Sequence, residues 1–167
     1  MRNNSSKFYL NDTVTANYEK RRFESIGGKA LNTIELAAVH ELIAPGHYQR
    51  VLELGCGTGR LTNFILDNYD FYVVSIDYSL SMLRKAVRGK KRVSFVAADA
   101  LRLPLKQDSF DGCVSLRLCH HLDKDDLFDL FSNLKHILKK DSTIIFNTTN
   151  IFSLAILGAW TRFYKKK

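Results

Sequence analysis

A chain of 167 residues with 46% hydrophobic content has enough material for one domain with a sizeable core, and is too apolar to be a disordered tail. Its formal charge of +8 comes from two runs, Arg84, Lys85, Arg88, Lys90, Lys91 and Arg92, then Lys165, Lys166 and Lys167; no aromatics interleave with them, so they suit a solvated helix end and a soluble tail better than a nucleic-acid surface. No apolar run approaches the roughly 20 residues of a membrane span, MRNNSSKFYLND lacks a secretory apolar core, and three cysteines without framework spacing point to reduced thiols in a cytoplasmic protein.

Residues 1–30 are polar and mixed, with Gly27-Gly28 as an expected turn. In 31–44, Leu31, Ile34, Ala38 and Leu42 recur at helical spacing before Pro45-Gly46, which predicts a helix. Short apolar or β-branched runs follow at 51–54, 71–76, 93–97, 112–116 and 143–146, each suited to a strand buried on both faces. Residues 60–66 and 80–87 have helical character. The clearest helix spans about 124–139, with Leu127, Leu130, Phe131, Leu134, Ile137 and Leu138 in one stripe and Asp125, Asp126 and Asp129 at its start. This alternation predicts an α/β fold, a parallel sheet with helices on both faces. The third gap is about fourteen residues long and is interrupted by Pro104, too short for a full crossover helix. It predicts a reversal in strand order, and open α/β sheets bind ligands at such reversals.

The stretch VLELGCGTGRL places Gly55, Gly57 and Gly59 between the first strand and the next helix. Glycines so placed let backbone approach a ligand closely. The dinucleotide pattern G-x-G-x-x-G would need glycine where Arg60 stands, and no Walker loop is present. Asp77 ends the second strand, where a carboxylate can accept from both ribose hydroxyls or serve as a turn aspartate. Asp99, after the third strand, can accept from an adenine amino group or close a turn. Glu53 sits in an apolar strand and needs a partner there: a ligand ammonium, a buried arginine or backbone amides.

In order and spacing, VLELGCGTGR, VVSIDYSLSML, VSFVAADALRLPL and FDGCVSLRLCHHL resemble the successive motifs of class I S-adenosylmethionine-dependent methyltransferases, the small-molecule, lipid and quinone type. The resemblance implies a three-layer Rossmann-like sandwich with a mostly parallel sheet of order 3-2-1-4-5. It implies a helical cap at 1–46, a cofactor-binding core at 47–150 and a tail at 151–167. S-adenosylmethionine is the implied cofactor. Glu53, Gly55, Cys56, Gly57 and Gly59 belong to the first motif. Asp77 takes ribose, Tyr78 and Met82 line adenine, and Asp99 and Ala100 meet its amino group. Leu116 and Arg117 border the methionine part, and Tyr18 closes over the site. The implied acceptor is a small molecule or lipid. The competing readings are a cofactor-binding domain without turnover and an RNA methyltransferase; against the second, SLRLCHH stands where base methylases carry Asn-Pro-Pro-Tyr.

Some acceptors need a base, and His120 and His121 at the fourth strand's exit are the catalytic candidates. Cys119 beside them does not make a metal site, because adjacent residues rarely converge on one ion. The sequence departs from the family in two places. Lys140-Asp141-Ser142 replaces a Gly- or Pro-containing turn before the fifth strand, and IFSLAILGAWTRFYKKK is too short to supply the usual last two strands. That tail, with Trp160, Phe163 and its lysines, is expected to act as a covering helix or a peripheral membrane contact.

Overall fold

The computed structural model describes residues 15, 17–86 and 89–148. Helix α1 (Tyr18–Phe23) leads into α2 (Ile26–Ile43), whose start is set by Ser25: its Oγ accepts from the N–H of Gly28 at 3.0 Å. This cap draws Gly27 and Gly28 into the first turn of α2, where a turn between elements was expected. Helix α2 ends before Pro45-Gly46, as the sequence predicts.

The expected stripe on α2 faces the other way. Leu31, Ile34 and Leu42 are 49%, 65% and 57% exposed, and the buried side is Val39 and Ile43, with Leu36 packed beside them. The helix is apolar on both sides, so spacing alone does not say which side meets the sheet.

Beyond α2 the strands and helices alternate: β1 (Arg50–Leu54), α3 (Arg60–Asn68), β2 (Tyr72–Asp77), α4 (Leu80–Leu83), β3 (Val93–Ala97), β4 (Phe110–Ser115), a 3-10 turn at Cys119–His121, α5 (Lys124–Ile137) and β5 (Leu138–Phe146). The five strands lie in the order β3-β2-β1-β4-β5, and every pairing is parallel. Alternation along β1 divides the core. Val51 packs with α2 and α3 on one face, whereas Leu52 and Leu54 pack with Leu130 and Leu134 of α5 on the other. Each such fully buried aliphatic side chain contributes about 1.5–3 kcal/mol. Asp123 caps α5 by accepting from the Asp126 N–H at 2.9 Å, and Asp125 and Asp126 favour the positive end of its dipole.

Two boundaries differ from expectation. Helix α4 closes at Leu83, because Met82 and Leu83 carbonyls accept in tight turns that end the helix before Ala86. Strand β5 begins at Leu138, so Lys140-Asp141-Ser142 lies inside the strand. The expected turn is present there as an irregularity: Asp141 has φ 63°, and the ladder shifts between Phe110 and Gly112. Residues 98–109 form no helix and carry the chain from the β3 edge back to β4 beside β1. The strand order therefore reverses at β1 and β4, and their carboxyl ends open a crevice. The tail at 151–167 lies outside the described residues.

Candidate functional site

A cavity of about 390 Å³ opens at the carboxyl ends of β1, β2, β3 and β4. Its floor is the loop after β1. The N–H groups of Gly55 and Cys56 both donate to the Ile76 carbonyl, at 2.8 and 3.0 Å, which pins the loop to the end of β2. Gly57 has φ 56°, and a Cβ built there would meet nothing within 4 Å, so the bare backbone faces open space. At Gly55, with φ 71°, a Cβ would press to 3.3 Å from Leu118 Cβ. Side chains at either place would strain the turn.

Asp77 closes this arrangement. Its Oδ2 accepts from the Gly57 N–H at 2.7 Å and its Oδ1 from the Ser79 N–H at 2.8 Å. Burial raises its pKa, against these two amides. The turn role is thus realised, and each oxygen keeps a second lone-pair direction toward the cavity. Asp99 is held in the same local manner, Oδ1 accepting from the Leu101 N–H at 3.0 Å. Tyr78, Met82, Ala100, Leu116 and Leu118 line the space around these carboxylates.

Glu53 is 1% exposed. Strand alternation aims it toward α3, on the same face as its register partner Ser75. Its Oε2 accepts from Thr62 Oγ1 at 2.5 Å and from Ser75 Oγ at 2.8 Å. The partners expected from sequence were an ammonium, an arginine or backbone amides; in the folded chain they are two hydroxyls. Burial outweighs these bonds and lifts the pKa to about 7.

A smaller cavity of about 40 Å³ adjoins the first and shares Tyr18, Gly55, Gly57, Leu116 and Arg117 with it. Glu53, Cys56, Arg60 and Phe23 also line it. Cys56 is buried, and desolvation pushes its thiol well up, so it packs as a neutral group. Arg60, the residue in the displaced-glycine position, and Arg117 converge here on one carboxylate. Glu35 Oε2 accepts from Arg60 at 3.1 Å and from Arg117 Nη2 at 2.8 Å. Both guanidiniums lie over the Phe23 ring, 4.9 Å for Arg60 and 4.8 Å for Arg117 from Cζ to ring centroid. Arg117 has φ 64°, uncommon for a non-glycine residue, and its N–H donates to Asn147 Oδ1 at 2.6 Å. Desolvation lowers the Arg60 pKa.

Helix α1 covers this end. Tyr18 lines both cavities, and Glu19 Oε1 accepts from Thr58 Oγ1 at 2.7 Å. His121 lines the large cavity, whereas His120 is not among its lining residues; the rings lie 4.0 Å apart. Desolvation, helped by the neighbouring His120 and Arg22, lowers His121 to about 4, and His120 is lowered by burial with Arg22 and Arg117 nearby. Both imidazoles are neutral near pH 7. Among the described residues, no group of three His, Cys, Asp or Glu side chains could hold a metal, and no helix is long and apolar enough to cross a membrane.

Half of the first basic run has partners within the fold. Lys85 donates to the Thr15 carbonyl at 2.8 Å, Lys90 pairs with Asp67, and Arg92 pairs with Asp70 at 2.8 Å. Sequence reasoning missed Glu35, Arg60, Phe23 and Asn147 as site residues. They lie in four separate segments, and the one local signal was an arginine where a third glycine was absent.

The site can hold an elongated ligand. One end offers two carboxylates suited to hydroxyl and amino donors; the other offers two guanidiniums beside a carboxyl poised near neutrality. Residues 51–141 match the family model described as a methyltransferase domain. An O-methyltransferase of Pyrenophora dematioidea is 30% identical over 124 residues, covering 67% of this chain and 46% of the relative. A demethylmenaquinone methyltransferase of Clavibacter sepedonicus is 36% identical over 105 residues, covering 60% and 41%. The chain thus spans less than half the length of either relative. In three dimensions it resembles a Haemonchus contortus phosphoethanolamine N-methyltransferase solved with phosphoethanolamine and S-adenosylhomocysteine, at TM-score 0.69 and 18% identity, over 86% of this chain and 31% of the other.

Proposed function

The chain belongs to the class I S-adenosylmethionine-dependent methyltransferase family, and on that footing we propose that it binds S-adenosylmethionine and transfers its methyl group to a small-molecule or lipid-like acceptor. The observation that carries this reading is that a cavity bearing Asp77 and Asp99 adjoins a smaller one bearing Arg60 and Arg117, the two sharing part of their lining. The fit with the cofactor is chemical. Asp77 has lone pairs left for the ribose hydroxyls, and Asp99, with Ala100 beside it on the cavity wall, is a carboxylate suited to an adenine amino group. Glu53 faces the small cavity with an oxygen that neither hydroxyl uses, suited to an α-ammonium. Arg60 and Arg117 suit the adjoining α-carboxylate. Gly57 offers bare backbone beneath the ligand, and Tyr18 with Leu116 and Leu118 keeps water off its centre.

When bound, the sulfonium would supply an electrophilic methyl for in-line attack by an acceptor lone pair, the methyl–sulfur bond breaking and its electron pair leaving with S-adenosylhomocysteine. What this chain contributes is alignment and exclusion of water. His121 is the candidate proton acceptor, because it lines the cavity and is held unprotonated. A base so weak suits an acceptor that loses its proton readily or arrives already ionised. The acceptor's class is also suggested by the relatives, whose names describe O-methylation and quinone methylation. Titration calorimetry with S-adenosylmethionine, S-adenosylhomocysteine and NAD tests the reading. Binding of the first two at micromolar level and not of NAD is the expected result; no heat with either sulfur ligand would end it. Labelled cofactor with cell extract then shows whether the methyl group moves into a lipid or a polar small molecule.

A further inference from the structure

Glu35 is not part of any motif that the sequence displays, yet it is the most heavily bonded side chain of the site. Its side chain is 9% exposed. Oε1 accepts from Arg117 Nε at 2.9 Å and from Asn147 Nδ2 at 3.0 Å; Oε2 accepts from Arg117 Nη2 at 2.8 Å and from Arg60 Nη2 at 3.1 Å. A carboxylate has about four lone-pair directions, so Glu35 has none left for a ligand. Arg60 and Arg117 each use only part of their five N–H donors, and both guanidiniums border the small cavity. One carboxylate between two guanidiniums leaves one positive charge in excess. The two cations repel, as their mutual effect on Arg60 records. Without an anion between them they would splay apart around Phe23.

We propose that Glu35 is a positioning residue: it clamps Arg60 and Arg117 side by side, so that their remaining donors receive the carboxylate of the bound cofactor's amino-acid head. The proposal rests on the cofactor reading above. It gives α2 a share in the site. Asn147 completes the clamp from the end of β5, bonding both Glu35 and the Arg117 N–H.

The test compares two ligands that differ only at that head. S-adenosylhomocysteine carries the carboxylate; 5′-methylthioadenosine keeps the nucleoside and lacks the amino-acid head. In E35Q, calorimetry should show S-adenosylhomocysteine binding at least about tenfold weaker, one bidentate charge-assisted contact being lost, with 5′-methylthioadenosine within about twofold of wild type. E35D, which keeps the charge on a shorter arm, should recover part of the loss. Equal losses for both ligands would mean a merely structural residue. No loss, or tighter S-adenosylhomocysteine binding, would mean that Glu35 competes for the arginines, and the proposal would fall. If E35Q does not fold, N147A replaces it, with the same selective loss expected at smaller size; a loss shared by both ligands again overturns the clamp. If wild type binds neither ligand, the cofactor reading fails first, and that outcome is distinct from a wild type that binds both equally, which overturns the amino-acid-head contacts, the arginine pair and Glu53 alike, and leaves the nucleoside end standing.

Discussion

At one end of the cavity, Asp77 and Asp99 stand at the carboxyl ends of β2 and β3, each oriented by a backbone N–H two residues ahead. At the other, Glu35, Arg60, Arg117 and Asn147 come from four segments and are oriented mainly by one another. The first arrangement is set mainly by local turns, with the Gly57 N–H tying Asp77 to the neighbouring loop. The second exists only when α2, α3, β4 and β5 have all packed. The difference teaches where each end is vulnerable. The carboxylate end should break at single residues, while the guanidinium end should loosen as a group.

The largest expected effect follows from D77A. It removes the proposed ribose acceptor and the Gly57 anchor together, two charge-assisted bonds at about 1.5–3 kcal/mol each. S-adenosylhomocysteine and 5′-methylthioadenosine should both weaken by about 100-fold or more in calorimetry; a loss confined to one ligand would contradict the division between ends. Next comes Glu53, whose pKa rises from 4.5 to about 7 on folding. The folded state therefore holds a proton more tightly than the unfolded chain. Its contribution is present below pH 4.5 and is lost as pH rises through about 7, on the order of 3 kcal/mol. Glu53→Gln keeps the Thr62 and Ser75 bonds and cannot ionise. Its melting temperature relative to wild type should climb between pH 5 and 8; a flat difference would show that Glu53 stays charged when buried.

A third variant sharpens the contrast between ends. Arg117→Met should cost S-adenosylhomocysteine about tenfold or more in affinity and leave 5′-methylthioadenosine nearly untouched, by the same charge-assisted contact. Equal effects would merge the two ends into one. The smallest change is expected of His121→Ala. With a pKa of about 4 it is a poor base at neutral pH, so turnover on an identified acceptor should fall by less than about tenfold, against the 10²–10⁴ of strong general-base catalysis. A fall of about 1,000-fold would restore it to a central role.

The same contrast explains what the sequence could reveal. Strand positions and Asp77 and Asp99 are written locally, in alternation and turn aspartates. The short third gap foretells the reversal after β3; the full order 3-2-1-4-5 comes only from the family resemblance, and the sheet has that order with every pairing parallel. What sequence left hidden is set by packing choice. The stripe of Leu31, Ile34 and Leu42 was visible, but an equally apolar opposite side won the contact with the sheet. That choice carried Glu35 inward to the arginines. Its partners are 25, 82 and 112 residues away, beyond any motif window. The Glu53 hydroxyl pair was hidden for a milder reason: Thr62 and Ser75 are ordinary residues until β1, β2 and α3 share a face.

The pairing of β1 with β4 carries a consequence in time. These strands lie at the sheet's centre, and contacts such as Ser115 Oγ to the Leu54 carbonyl join residues 61 positions apart. Closing so long a loop costs entropy before it returns contacts, so it slows folding. The crevice straddles that seam. A refolding chain should regain its helical signal early and its full affinity for S-adenosylhomocysteine late. Ligand added during refolding would then capture finished molecules without steering unfinished ones.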